Sequence, residues 1–392
     1  MTETPYFCGI DVAKNSFVAS VKGNGTLIKN KSFFMDSQGF LQFAHFLSHF
    51  PPNLLIGMEP TGIYHKNLLY FLKSLRYNCV VVNPYMLHQF FKFINNKPTK
   101  TDNKDSQTIA HFLEFKHNEL NQTQKTPDER DSLKYFVREK ERITHWIARE
   151  KTEIKTLLAL LFPELERKGG IFSKEILTLL SHFPSAHKIR TTPKDQFLNI
   201  AKNLSSHRGR KSTLSPENLY ELAHSSIACE WPDYEQVLKL KINRLNSLLE
   251  EREHIAKLID QKAEKLFKKE IQILCSIPGI ARGSAIYFLA EIVDIKRFAN
   301  KRKLVGFCGL DPIIKQSGKF SQKFRISKRG NAHARRIIWI MAGSVKRNCP
   351  YFREYYLKKR KEGKSYKEAV IATATKLLGV IHSLLTHERC FM

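Results

Sequence analysis

The stretch Tyr6-Phe-Cys-Gly-Ile-Asp-Val-Ala-Lys14 decides how the first hundred residues read. Residues 6–10 form a short apolar strand that closes on Asp11. Working outward, residues 17–22 and 26–34 are two further strands, separated by the turn Gly23-Asn-Gly25. A helical stretch follows, with Phe40, Phe43, Ala44 and Leu47 on one face. Leu54-Leu-Ile-Gly-Met58 has the pattern of a buried strand and ends at Glu59. A helix over 64–75, a strand over 79–82 and a helix starting at Thr101 or Asp102 complete an α/β region over 5–118.

Three strands in meander, then alternating helix and strand, is the order of a ribonuclease-H-like domain. Four acids stand out in it. Asp11 closes the first strand, and Glu59 closes a later one in Glu59-Pro-Thr-Gly-Ile-Tyr64. Asp102 and Asp105 sit three apart in Thr101-Asp-Asn-Lys-Asp105, which on a helix puts both carboxylates on one face. Functional side chains of α/β sheets gather at strand ends. Carboxylates brought together repel and shift each other's pKa. A divalent cation removes that penalty, and all-oxygen ligands suit Mg²⁺ or Mn²⁺. Two such ions would clamp both oxygens of an in-line phosphoryl displacement. Each acid taken singly also fits a turn or helix-capping role.

Composition points the same way. The 392 residues carry 65 Lys and Arg against 37 Asp and Glu, a net charge of +28 that calls for a polyanion. At 42% hydrophobic the chain is too apolar for a disordered basic tail. No run of 18 apolar residues predicts a membrane span, and the first residues lack signal-peptide character. Seven cysteines without a C-x-x-C pair argue against a disulfide framework or zinc knuckle, so a cytoplasmic setting is expected. The charge is concentrated late: residues 296–367 hold 22 Lys and Arg against 3 acids.

The middle of the chain is helical. Leu133, Phe136, Ile143, Ile147, Ile154, Leu157 and Leu161 fit one heptad seam, with Lys140 and Glu150 as polar breaks. Leu238, Ile242, Leu245, Leu249, Ala256, Ile259, Ala263 and Leu266 fit a second, broken by Arg252. Two such runs predict paired helices in a coiled coil. A less regular insert, about 163–232, lies between them. The expected domains are therefore 1–125, 126–268 and a mainly helical 269–392.

In the last of these, a hairpin is expected around Ser317-Gly318. Lys315, Lys319, Lys323, Arg325, Lys328 and Arg329 surround it in sequence, with Arg335 and Arg336 just beyond. A serine in this frame has the surroundings to attack a phosphodiester, since cations stabilise the charge of the transition state. Equally, Ser317 fits a phosphate-binding loop in which it only donates a hydrogen bond. Ile277-Pro-Gly-Ile-Ala-Arg282 has the form of a helix-hairpin-helix turn, in which Gly279 and Arg282 contact a DNA phosphate, or of a simple helix corner.

These motifs resemble those of the insertion-sequence one-ten family of DEDD transposases. Gly9-Ile-Asp-Val-Ala-Lys14, Glu59-Pro-Thr-Gly-Ile-Tyr64 and Thr101-Asp-Asn-Lys-Asp105 are similar to its acidic motifs. Ile277-Pro-Gly-Ile280, Gly309-Leu-Asp-Pro312, Gln316-Ser-Gly318 and Ile326-Ser-Lys-Arg-Gly-Asn331 are similar to those of its second domain. The resemblance implies a RuvC-like N-terminal domain, a coiled coil and a C-terminal transposase domain. It implies Mg²⁺ held by Asp11, Glu59, Asp102 and Asp105, and a transient phosphoserine link to DNA at Ser317. It also implies a guide (bridge) RNA, donor and target double-stranded DNA, and a tetramer built as a dimer of dimers. Carboxylates of one protomer would meet the serine of another. The alternatives are a Mg²⁺-dependent RuvC-like nuclease or junction resolvase using water, and a non-catalytic nucleic-acid-binding protein.

Overall fold

The computed structural model describes residues 6–23, 25–94, 102–117, 129–168, 170–204, 215–313, 316–317, 320–321 and 325–392. Two compact units, Met1–Asp128 and Glu129–Met392, are built on different principles.

The first unit is a mixed α/β layer structure. Its elements are β1 (Tyr6–Val12), β2 (Ser16–Gly23), β3 (Thr26–Phe34), α1 (Ser37–Leu47), β4 (Leu55–Met58), α2 (His65–Ser74), β5 (Asn78–Val81), α3 (Pro84–Ile94) and α4 (Asp102–Lys116). The sheet order is β3-β2-β1-β4-β5. β1 and β2, and β2 and β3, run antiparallel; β1 and β4, and β4 and β5, run parallel. Strand alternation divides the core in two. Cys8, Ile10 and Val12 face a cluster with Ile56, Met58, Leu68 and Leu72, closed by the rings of Phe17 and Phe33, which stack, and of Phe43, which meets Phe17 edge-on. Phe7, Leu55, Val80 and Val82 face the opposite cluster, which holds Ile109, Phe112 and Leu113 of α4.

The seating of α4 depends on a row of small residues. Ser20, Gly9 and Gly57 are paired neighbours on β2, β1 and β4. A Cβ on Gly9 would lie 2.2 Å from the carbonyl oxygen of Ser106 and 2.3 Å from the amide nitrogen of Ala110. A Cβ on Gly57 would lie 2.7 Å from the Leu113 side chain. Ser20 Oγ and Ser106 Oγ share a buried hydrogen bond of 2.7 Å. Lys22 donates to Glu114 at 2.9 Å and the Gly25 amide at 3.0 Å, which pins the farther part of α4.

The second unit is helical apart from short hairpin strands. α5 (Glu129–Leu161) and α11 (Pro232–Cys275) form its spine, with α6 (Pro163–Lys168), α7 (Lys174–His182), α8 (Ala186–Arg190), α9 (Lys194–Leu204) and α10 (Pro216–His224) between them. α5 and α11 pack antiparallel: Arg130 meets Glu270 at one end, and Glu150 meets Lys241 and Arg244 toward the other. Glu150, the polar break in the first seam, is 2% exposed and bridged by those two cations. The second seam departs from strict heptads. Leu248, Ile255 and Phe267 are the buried residues, where Leu249, Ala256 and Leu266 were expected. At Phe267 the helix itself breaks (φ −138°, ψ 22°). The insert is more regular than its composition suggests. Ser173, Ser185 and Ser215 each cap a helix by accepting the amide three residues on.

After α11 come α12 (Arg282–Ile292), a 3-10 turn (Ile295–Arg297), α13 (Lys301–Cys308), β6 (Pro312–Ile313), β7 (Gln316–Ser317), β8 (Phe320–Ser321), β9 (Arg325–Ile326), α14 (Ala332–Asn348), α15 (Pro350–Lys361) and α16 (Tyr366–Thr386). α16 is long and apolar enough to cross a membrane by composition alone. It instead buries Val370, Ala374, Leu377, Leu378 and Ile381 in the core shared with α14. A capping box of Ser365 and Glu368 starts it.

Gly9→Ala forces a methyl group into the α4 backbone. Urea unfolding followed by circular dichroism is expected to show a loss of about 2 kcal/mol. Gly283→Ala, on α12 with open space around its Cβ, is the control and is expected to be neutral or stabilising by about 0.5 kcal/mol. Equal stability of the Gly9 variant and the parent would contradict this seating of α4.

Candidate acidic site and serine hairpin

The seating of α4 directs the acids. Phe7, Gly9 and Asp11 occupy one face of β1. Phe7 packs beside His117 with ring centroids 5.4 Å apart, and Gly9 lies under Ser106 and Ala110. As β1 advances toward Asp11, the residues of α4 over it run back toward its first turn. Asp11 therefore comes up at the end of α4 that carries Asp102 and Asp105. Ile10 pairs with Met58, so Glu59 is the next residue along β4 just as Asp11 is along β1. The loop after Glu59 is held by its own backbone: Thr61 donates to the Glu59 carbonyl and Tyr64 to that of Thr61. Gly62 takes the left-handed conformation (φ +54°) that this tight course requires.

Asp11, Glu59 and Asp105 are each half-buried. Asp102 is the first residue of α4, and its side chain lies outside the described residues. Hard oxygen donors at strand ends and a helix start are the donor set that a hard divalent ion prefers. Among the described residues, no three acids, histidines or cysteines form a ready-made metal cage.

The second constellation is the hairpin carrying Ser317. Pro312 pairs with Ile326 and Ile313 with Arg325; farther out, Gln316 pairs with Ser321 and Ser317 with Phe320. Ser317 is thus the last paired residue before the hairpin tip. The side chains of Ser317 and Arg325, and all of Lys315, Gly318, Lys319 and Lys323, lie outside the described residues. The base of the hairpin is tightly fastened. Ser327 donates its hydroxyl to Asp311 at 2.6 Å and its amide to the Asp311 carbonyl at 2.8 Å. Lys328 donates to the Gly309 carbonyl, and Asn331 to that of Phe307. A Cβ on Gly330 would lie 2.1 Å from the Phe307 carbonyl oxygen, so glycine alone fits there. The Gly309-Leu-Asp-Pro312 and Ile326-Ser-Lys-Arg-Gly-Asn331 motifs are therefore two sides of one clasp.

Asn331 extends the clasp inward. Its side chain caps α14 through the Ala334 amide and donates to Glu291 at 2.6 Å. Glu291 is 1% exposed and also accepts two bonds from Arg138, at 3.0 and 3.1 Å, with Lys134 at 3.6 Å. Burial pushes its pKa up, but the bonds from Arg138 and Asn331 and the charge of Lys134 outweigh this and hold it below the ordinary value. Local sequence pattern does not mark Glu291 as a functional or network residue. What the sequence shows of it is a lone acid in the apolar run Ile286-Tyr-Phe-Leu-Ala-Glu-Ile292.

The expected phosphate contacts divide. Lys328 and Arg329 stand exposed beside the clasp. Arg335 donates to the Cys308 carbonyl at 3.0 Å, and Arg336 pairs with Glu141. Arg282 pairs with Glu264 at 2.8 Å and Asp260 at 3.6 Å. Gly279, at φ +100°, is backed against Ser344 and Asn348 of α14.

Comparison with known proteins matches both constellations. Residues 8–163 match a family model of DEDD, IS110-type proteins described as a transposase. Residues 271–357 match one described as transposase, IS116/IS110/IS902 family. The pilin gene-inverting protein of Moraxella bovis is 24% identical over 391 residues, covering 98% of this chain and 97% of its own. An uncharacterized 44.8 kDa protein of insertion element IS116 from Streptomyces clavuligerus is 22% identical over 298 residues, 74% of this chain and 72% of its own. An uncharacterized 42 kDa protein of insertion element IS900 from Mycobacterium paratuberculosis is 32% identical over 129 residues, 32% of each chain.

The Glu291 network has a measurable signature. Glu291→Gln leaves Arg138 and Lys134 without their carboxylate and is expected to destabilise the second unit by about 3–5 kcal/mol. Because the folded pKa is lowered, the stability from Glu291 is fully present above the ordinary value of 4.5 and is lost as pH falls through the lower folded value. Thermal melts of parent and variant between pH 7 and pH 3 should therefore converge at the acid end. A gap that stays constant with pH would contradict this assignment.

Proposed function

The chain belongs to the IS110 family of insertion-sequence transposases, and we propose that it recombines DNA by serine transesterification under the direction of a guide RNA. A DNA-recombining enzyme acts on DNA, and the gene-inverting name of the Moraxella relatives supports rearrangement of a DNA segment here as well. The strand order β3-β2-β1-β4-β5 supports an RNase H-like, RuvC-type assignment for the first unit. The antiparallel α5–α11 spine supports a coiled coil over 126–268, with the transposase domain proper at 269–392. A dimer of dimers in the cytoplasm completes the reading.

The observation that carries it is the convergence of β1, β4 and α4 on one end of the sheet, which supports Asp11, Glu59, Asp102 and Asp105 acting as one site. These four carboxylates would hold Mg²⁺ or Mn²⁺, which when bound offsets the negative charge on phosphoryl oxygens. The clasp of 309–312 and 326–331 holds the hairpin so that Ser317 is presented on a rigid base. Its Oγ attacks the scissile phosphorus, and the Ser317 proton passes to a base or solvent. The Oγ–P bond forms as the P–O3′ bond breaks, leaving a 5′-phosphoserine link and a free 3′-hydroxyl. Attack by a second 3′-hydroxyl reverses these bonds on a new partner, restores the serine and requires no ATP. Exposed Lys328 and Arg329 are placed to balance phosphate charge near the hairpin base.

The test is to co-express the protein with its native flanking DNA and a target plasmid. The DNA is then digested, and the Ser317 peptide is searched by mass spectrometry for a nucleotide adduct. The wild type is expected to give the adduct; Ser317→Ala and Asp11→Asn are expected to give none. Cleaved DNA accumulating in wild type and Ser317→Ala alike, without an adduct, would favour a water-using nuclease.

A further inference from the structure

Helices α14 and α16 carry two lysines that have no carboxylate partner among the described residues. Each lies between two tyrosine rings. Lys346 of α14 sits 4.1 Å from the ring centroid of Tyr356 and 4.2 Å from that of Tyr366. Lys376 of α16 sits 3.9 Å from that of Tyr351 and 4.3 Å from that of Tyr355. A cation held against an aromatic face is stabilised by the ring quadrupole, so each lysine anchors its rings in fixed orientation. The rings are not used up by this contact: Tyr351 is 47% and Tyr366 49% exposed.

The surroundings are strongly cationic. Residues 350–367 hold seven Lys and Arg against two Glu. Arg353, Lys358, Lys361, Lys364 and Lys367 are all exposed. Fixed, half-exposed aromatic rings within a field of positive charge are what unpaired nucleotides require: the rings stack on bases and the cations track the backbone. A duplex keeps its bases stacked inside and offers such rings nothing. The loops of a folded RNA present unpaired bases before any protein arrives.

We propose that these two lysine–tyrosine clusters, Lys376 with Tyr351 and Tyr355 and Lys346 with Tyr356 and Tyr366, bind unpaired nucleotides of an RNA. The choice of RNA rests on the guided-recombinase reading above; the stacking face itself rests on the geometry. None of these six residues belongs to the acidic site or the serine hairpin.

Two measurements on the full chain test it. In the first, a fluorescent 20-nucleotide single-stranded RNA is titrated with wild type and with the Tyr351→Leu/Tyr366→Leu double variant, which keeps apolar bulk but removes both rings. Affinity for this RNA is expected to fall about tenfold or more, with the salt dependence and the affinity for a 20-base-pair duplex DNA unchanged. Unchanged RNA affinity in a variant with a wild-type melting curve would overturn the proposal, as would an equal loss on duplex DNA. In the second, protein co-expressed with its flanking DNA is irradiated with ultraviolet light, digested with nucleases and mapped by mass spectrometry. Ribonucleotide adducts on the Tyr351 and Tyr366 peptides are expected. Deoxyribonucleotide adducts there, or RNA adducts elsewhere with these peptides clean, overturn this face and leave RNA guidance standing. Absence of RNA adducts from the whole chain would remove both.

Discussion

The close approach of α4 to the centre of the sheet is the constraint on which the acidic site depends. A helix normally stands off a sheet by the depth of the side chains between them. Over Gly9 there are none, and the Ser106 carbonyl and Ala110 amide occupy the space a Cβ would need. The Ser20–Ser106 hydrogen bond fixes the helix along the strands, and Lys22 with Glu114 fixes its far part. The first turn of α4 then has little freedom. It delivers Asp102 and Asp105 to the end of β1 where Asp11 emerges, beside the end of β4 where Glu59 does. In the proposed site, packing rather than attraction among the carboxylates would set their positions, and a divalent ion would offset their like charge.

The second unit solves an equivalent problem with a buried charge. A two-stranded hairpin of a few residues is marginal alone. Here its base is clasped by Asp311, Ser327, Gly309 and Gly330, and Asn331 ties the clasp to Glu291. Arg138 brings α5 into the same network. The long helical spine is thereby coupled to the loop that presents Ser317. Breaking such a buried network costs more than forming it gains, because it leaves Arg138 and Lys134 without their carboxylate.

Much of this was legible in the residues themselves. The succession of strands and helices followed from alternation and turns, and so did the positions of the four acids at strand ends and at i, i+3 on a helix. The hairpin at Ser317-Gly318 followed from the glycine, and the paired helices from two apolar seams. What escaped reading has physical reasons. Gly9 within a strand is a sign of close backbone approach, but only the fold shows that α4 is what approaches. Leu248 and Ile255 are the buried residues beside Leu249 and Ala256, because adjacent apolar residues leave heptad counting two choices that only the packed partner helix decides. The partners that Arg282, Arg335 and Arg336 have within the protein, Glu264, the Cys308 carbonyl and Glu141, could not be read from local sequence. The insert looked irregular by composition, while its serines were capping short helices. Long-range pairing is invisible to local pattern, and most of the surprises are of that kind.

In the function proposed above, the carboxylates at the ends of β1 and β4 and at the start of α4 form one site, and the seating of α4 makes it so. Mn²⁺ binding to the full chain, followed by electron paramagnetic resonance, tests this most directly. The account predicts that Asp11→Asn and Asp105→Asn each remove the same tightly bound Mn²⁺ signal, and that Gly9→Ala weakens it with every acid intact. Wild-type Mn²⁺ binding in either aspartate variant, or in the Gly9 variant, would contradict it.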